Sequence, residues 1–131
     1  MSIGAYFGQQ RVQLKWFAVC AHVISTGDGK RMEEIEVYVD PAEIEEQLAP
    51  LLEGAIAHYG LQIRIRRTLR TYPGSLHWHV HKPGDRGTLE ITLWPAGKRV
   101  WFSVHDGRRA EWIGDIVPRL KAWIERQMPH Q

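Results

Sequence analysis

Four consecutive stretches between residues 61 and 106 alternate apolar and polar residues with a period of two, and turn-forming residues separate them. Successive side chains of a strand point to opposite faces, so a matched two-residue period commits this stretch to one sheet with one apolar face. The predicted strands are 61–70, 75–82, 88–95 and 99–106. They are joined at Pro73-Gly74, at Pro83-Gly84-Asp85-Arg86-Gly87 and at Pro95-Ala96-Gly97-Lys98. The apolar face collects Leu61, Ile63, Ile65, Leu69, Leu76, Trp78, Val80, Leu89, Ile91, Leu93, Val100, Phe102 and Val104, and only Arg67 interrupts it.

Upstream, 12–25 and 31–39 read as a hairpin about Thr26-Gly27-Asp28-Gly29-Lys30. Asp40-Pro41-Ala42-Glu43 then opens a helix over 41–59. Asp40 can accept from free amides, Pro41 suits the first helical position and Glu43 completes a capping box. Ile44, Leu48, Leu51, Leu52, Ala55 and Tyr59 form its apolar stripe, Gly60 fits the C′ position, and Pro50 is expected to kink or split it. A last helix over 110–128 presents Ile113, Ile116, Val117, Leu120 and Ile124, with Pro118 in the first turn of its main segment and Asp115 as its cap. The order ββ-α-ββββ-α predicts a single α+β domain over 1–131. It is a two-layer sandwich in which both helices pack on the apolar face of an antiparallel sheet.

Composition narrows the setting. One cysteine, Cys20, excludes an internal disulfide, and no apolar run approaches the roughly 18 residues of a membrane span. The first residues also lack a charged region ahead of an apolar stretch, so a cytoplasmic protein without membrane contact is expected. Residues 33–53 hold eight acids and neither Lys nor Arg, which leaves seven of the 15 acids against all 17 bases elsewhere. Arg64, Arg66, Arg67 and Arg70 fall close together in that basic remainder.

The polar face of the sheet carries the chemistry. It collects Arg64, Arg66, Arg70, His77, His79, His81, Glu90, Trp94, Arg99, Trp101 and His105 among threonines and Ser103. A tight turn at Tyr72-Pro73-Gly74-Ser75 would set Arg70 against His77, Thr68 against His79 and Arg66 against His81. A turn at Ala96-Gly97 sets Thr92 against Trp101 and Glu90 against Ser103. Pairing His81 with Thr88 then brings His79 opposite Glu90.

Three chemistries fit that face. His77, His79 and His81 stand about 6.6 Å apart along one side of a strand, and two such rings can converge on zinc with Glu90 or His105 as a further ligand. The same spacing also suits histidines merely packed among threonines, and neighbouring arginines oppose a cation. Alternatively, His79 facing Glu90 resembles, in layout alone, the site of small metal-independent ribonucleases. Glu90 would then take a 2′-hydroxyl proton, His79 or His105 would protonate the leaving oxygen, and Arg64 or Arg66 would hold the phosphate. An ordinary cross-strand pair worth about 0.2–1 kcal/mol is the plain counterpart of that reading. Thirdly, Trp94 and Trp101 can stack on bases while Arg64, Arg66, Arg70 and Arg99 take phosphates, or the same residues can anchor a protein.

The sequence reading adopted is a small non-catalytic binding domain. Its face (Arg64, Arg66, Arg70, His77, His79, His81, Trp94, Arg99, Trp101) takes a protein partner, a second copy or nucleic acid. Six tryptophans in 131 residues favour a homodimer. No cofactor is expected for this reading; the alternative is a nuclease or a metal-dependent hydrolase using His77, His79, His81, Glu90 and His105, with zinc the cofactor to expect if a metal is bound. The apolar face is large enough that folding should need no metal.

Overall fold

The computed structural model describes residues 21–25, 31–39 and 47–127. Two strands, β1 (Ala21–Ser25) and β2 (Arg31–Val37), lead into helix α1 (Leu48–His58). Strands β3 (Gln62–Arg67), β4 (Leu76–His81), β5 (Leu89–Trp94) and β6 (Arg99–His105) follow. A 3-10 turn (Asp106–Arg108) and helix α2 (Glu111–Gln127) complete the described residues. The six strands form one antiparallel sheet in the order β1-β2-β6-β5-β4-β3. The fold is thus the expected α+β sandwich. The expected strand over 12–20, the turn at 26–30, the capping box at Asp40, Ile44 and Cys20 lie outside the described residues.

The two-residue period shows directly in burial. Trp78, Val80, Leu89, Ile91, Leu93, Val100, Phe102 and Val104 pack with Ile35 and Val37 beneath the helices. From α1 they meet Leu48, Leu52, Ala55 and Ile56, and from α2 Trp112, Ile113, Val117, Leu120 and Ile124. The C-terminus of α1 closes as a Schellman motif. Gly60 takes φ 70°, its amide donates to the Ala57 carbonyl, and the Leu61 amide donates to that of Ile56.

The two prolines stand differently. Pro50 is the third residue of α1, where no partner is lost from the helix ladder, and the first part of the helix expected over 41–59 lies outside the described residues, so the expected kink or split falls outside them too. Gln47, without a side-chain hydrogen bond, occupies the N-cap. Pro118, by contrast, lies inside a continuous α2 rather than in the first turn of a separate segment.

The larger correction is the register of β3. Its strand ends at Arg67, and two successive turns take up the connection: the Tyr72 amide donates to the Leu69 carbonyl and the Ser75 amide to that of Tyr72. Arg67 therefore faces His77, Arg66 faces Trp78 and Ile65 faces His79. A bulge at Arg64 then restores Ile63 opposite Val80 and Gln62 opposite His81. The slip from the expected pairing is odd between 65 and 67, so those side chains exchange faces. Ile65 joins the histidines, and Arg66 turns to the helix side, where its Nε lies 3.3 Å from Glu53 Oε2. Arg67, which broke the apolar alternation, marks this change. Neither Ile63 nor Ile65 is a core residue: they are 38% and 40% exposed.

Candidate metal centre on the histidine face

Three strands bring the site together. His77 pairs with Thr92, His79 with Glu90, Glu90 with Ser103 and Thr92 with Trp101, all as the short β5–β6 turn and the alternation required. Strand β2 adds Glu34 beside Ser103 and Glu36 beside Trp101. Glu90 thus stands between two histidine-bearing strands, and a side chain one diagonal away is still within reach of a long neighbour.

Its two carboxylate oxygens divide the surroundings. Oε1 lies 3.1 Å from His77 Nε2 and 3.8 Å from His79 Nε2. Oε2 lies 3.1 Å from His105 Nε2 and 3.6 Å from Arg108 Nη1. His77, His79 and Glu90 are all buried, and His79, only 8% exposed, has no hydrogen-bond partner for its Nε2. The ring is oriented so that this nitrogen faces the carboxylate from beyond hydrogen-bond distance. The far nitrogen of His77 is 2.8 Å from Thr92 Oγ1.

One donor atom each from His77, His79 and Glu90 falls within 4.8 Å of the others. A tetrahedral ion with bonds of about 2.0–2.1 Å holds its ligand atoms about 3.3–3.4 Å apart. The 3.1 and 3.8 Å separations bracket that spacing. Two imidazoles and one carboxylate form a donor set suited to zinc, with a coordination position left open.

Burial is the main influence on His79 and His81. It pushes His79 below the ordinary histidine value, against the pull of Glu90 and together with the positive fields of His77, Arg67 and Arg108. His81 is lowered by burial, then by Arg64 and Arg108. Burial would raise Glu90, but the His77 hydrogen bond and the charges of His105, His79 and His77 outweigh it and hold the carboxyl low.

Comparison with protein-family models, with curated proteins and with solved structures finds no match. The geometry is therefore the ground for a functional reading.

The remaining expected surface residues do not converge on Glu90. Trp101 is 2% exposed, with the Tyr72 ring edge-on at 5.0 Å and the Arg99 guanidinium 4.2 Å over its face. Arg99 is held by Glu36 and lies 3.9 Å from Glu34, and the Glu36 hydrogen bond raises its pKa. Trp94 is half-buried and donates to the Pro73 carbonyl at 3.2 Å. Arg64 and Arg70 are exposed, and Arg66 serves Glu53. A concavity of about 400 Å³, lined by Ile35, Val104, Ile113 and Val117, opens on the helix side, away from the histidines.

Two participants escaped the sequence reading. Arg108 reaches Glu90 because the 3-10 turn folds back on the β4–β5 loop, where the Thr88 amide donates to the Arg108 carbonyl at 3.0 Å. Gly87 permits that approach. It has φ 99°, and an added Cβ would stand 2.7 Å from that of Ala110. Thr92 was on the correct face opposite His77, and its alignment with the ring was the available signal for its role.

Proposed function

We propose that this chain is a metal-binding protein whose centre is His77, His79 and Glu90, taking a divalent transition ion of the zinc class. One observation carries the reading: the buried, unpartnered His79 Nε2 aimed at the carboxylate oxygen that His77 Nε2 also faces. A buried polar atom without a partner costs about 1–3 kcal/mol, and an ion among the three donors would remove that cost. His105 would hold Oε2 and fix the carboxylate, as outer partners of metal ligands do. With three protein ligands and an open position the centre has the form of hydrolytic rather than structural zinc sites, whose bound water ionises near neutral pH.

The test is titration of metal-free protein with zinc against a chromophoric chelator. One equivalent should bind to the native chain and none to His79→Ala. Equal binding by both would sink the assignment.

A second reading rests on a different observation. Arg64, Arg66 and Arg67 on the edge strand β3 and Arg70 in the turn that follows it are all exposed. This favours a cytoplasmic domain that binds a phosphate-bearing or acidic partner there, nucleic acid included, while Trp94 supports association with a second copy. Light scattering at twice the mass of one chain, or RNA binding that weakens steeply with salt, would support it. The buried Trp101 and the partly buried Arg99 contribute to the packing of the face in either case.

A further inference from the structure

The charges around Glu90 do not balance a bound dication. A divalent ion on His77, His79 and Glu90 would bring two positive charges to a single carboxylate. That carboxylate already faces Arg108 at 3.6 Å and His105 at 3.1 Å. The two acids that β2 adds to this face, Glu34 and Glu36, share Arg99, which offsets one of their two charges. Like charges a few ångströms apart in a partly dry site repel strongly, so the metal-loaded centre carries an excess of positive charge.

We infer that the centre takes an oxyanion of the phosphate class as its fourth ligand, held by Arg108 at the exposed end of the site. The inference rests on the metal reading above. Arg108 is suited to this. Its side chain is about half exposed, at 51%, while the carboxylate it touches is buried, so the guanidinium spans the interior and the solvent. A guanidinium offers paired N–H donors that match two phosphate oxygens, and a third oxygen could occupy the open metal position. His105, at 31% side-chain exposure, stands on the same side of Glu90. The backbone there is fixed by the Thr88–Arg108 hydrogen bond, so the arginine is delivered to the rim by a built turn. Metal and anion then bind with mutual reinforcement, since each offsets the charge of the other.

The experiment follows the visible absorption of cobalt(II) added to metal-free protein, with and without inorganic phosphate at matched ionic strength. For the native chain, phosphate should tighten cobalt binding by at least about tenfold and alter the absorption band. Arg108→Ala should bind cobalt without phosphate at least as well as the native chain, because a repelling cation is gone, yet lose the phosphate effect. Arg108→Lys should restore part of it. If cobalt binds at the histidines but phosphate changes nothing, or if its effect survives in Arg108→Ala, the oxyanion inference is overturned and the metal reading stands. If cobalt binds under neither condition, both fall.

Discussion

The hydroxyl of Thr92 lies 2.8 Å from Nδ1 of His77, on the far side of the ring from Glu90. A hydroxyl can donate or accept, so this contact serves either ring tautomer. Without metal, Thr92 donates to Nδ1 and the His77 Nε2–H donates to the carboxylate. With metal, Nε2 is bare, the proton sits on Nδ1, and Thr92 accepts it. Thr92→Val keeps the shape and removes that partner. Metal affinity should fall about 10–100-fold while the far-ultraviolet spectrum is unchanged. Undiminished affinity would show that Thr92 does not orient the ring.

Metal removal should leave the chain folded. Some twenty apolar side chains fill the core on the opposite face of the sheet, and none depends on the histidines for its packing. A chelator-treated sample should still melt in one cooperative transition, at a lower temperature than the loaded protein by the binding free energy that was removed. Unfolding on chelation would make the centre structural.

The metal-free protein should lose stability on acidification, and Glu90, His79 and His81 give the same sign. Glu90 titrates below its ordinary range when folded, so its contribution is present above the unfolded value and is lost as pH falls through the folded one. His79 is also lowered, chiefly by burial. The unfolded chain therefore takes up a proton near 6.5 that the folded chain resists. The melting temperature should drop as pH goes from about 7 to about 5, and His79→Gln should flatten that slope. A flat profile over that window in the native protein would contradict the His79 assignment, while the loss due to Glu90 sets in only below its ordinary value of 4.5.

Glu53 and Arg66 should differ sharply on substitution. The fully buried Trp78 donates from Nε1 to Glu53 Oε2 at 2.9 Å, and Arg66 touches the same oxygen from a half-exposed position. Glu53→Ala strands a buried indole N–H and should cost about 1–3 kcal/mol. Arg66→Ala removes only an exposed ion pair and should cost less than about 1 kcal/mol by chemical denaturation.

Gly87→Ala would meet both a left-handed φ and the Ala110 side chain. A loss of about 1–3 kcal/mol is expected, with faster amide exchange at Thr88 as the loop parts from Arg108. Native-like stability and exchange would mean that the loop relaxes without cost.

The sequence carried the centre of the sheet clearly and its margin poorly. His79 opposite Glu90 was readable because the alternation on β4 and β5 admitted few registers, and the β5–β6 turn fixed the next pair. The β3 pairing was not, since a bulge adds an unpaired residue and two turns fill the connection, neither of which the residue pattern announces. Arg67 alone recorded the change of face. Arg108 was hidden for another reason. Its approach to Glu90 depends on a tertiary contact between a turn and a loop, and nothing in Asp106-Gly107-Arg108 encodes the loop. Burial of Trp101 likewise comes from Tyr72 and Arg99, which sequence spacing places only loosely.

The β3 rim has a consequence for behaviour at high concentration. A terminal strand with two isoleucines near 40% exposure offers backbone groups that could template indefinite side-by-side growth. The irregularity at Arg64 interrupts the even spacing that such growth copies, and Arg66 and Arg67 would meet their own counterparts at every added copy. The guard is largely electrostatic, so it weakens as salt screens it. Fibrous deposition should therefore be suppressed at low ionic strength and accelerated by salt.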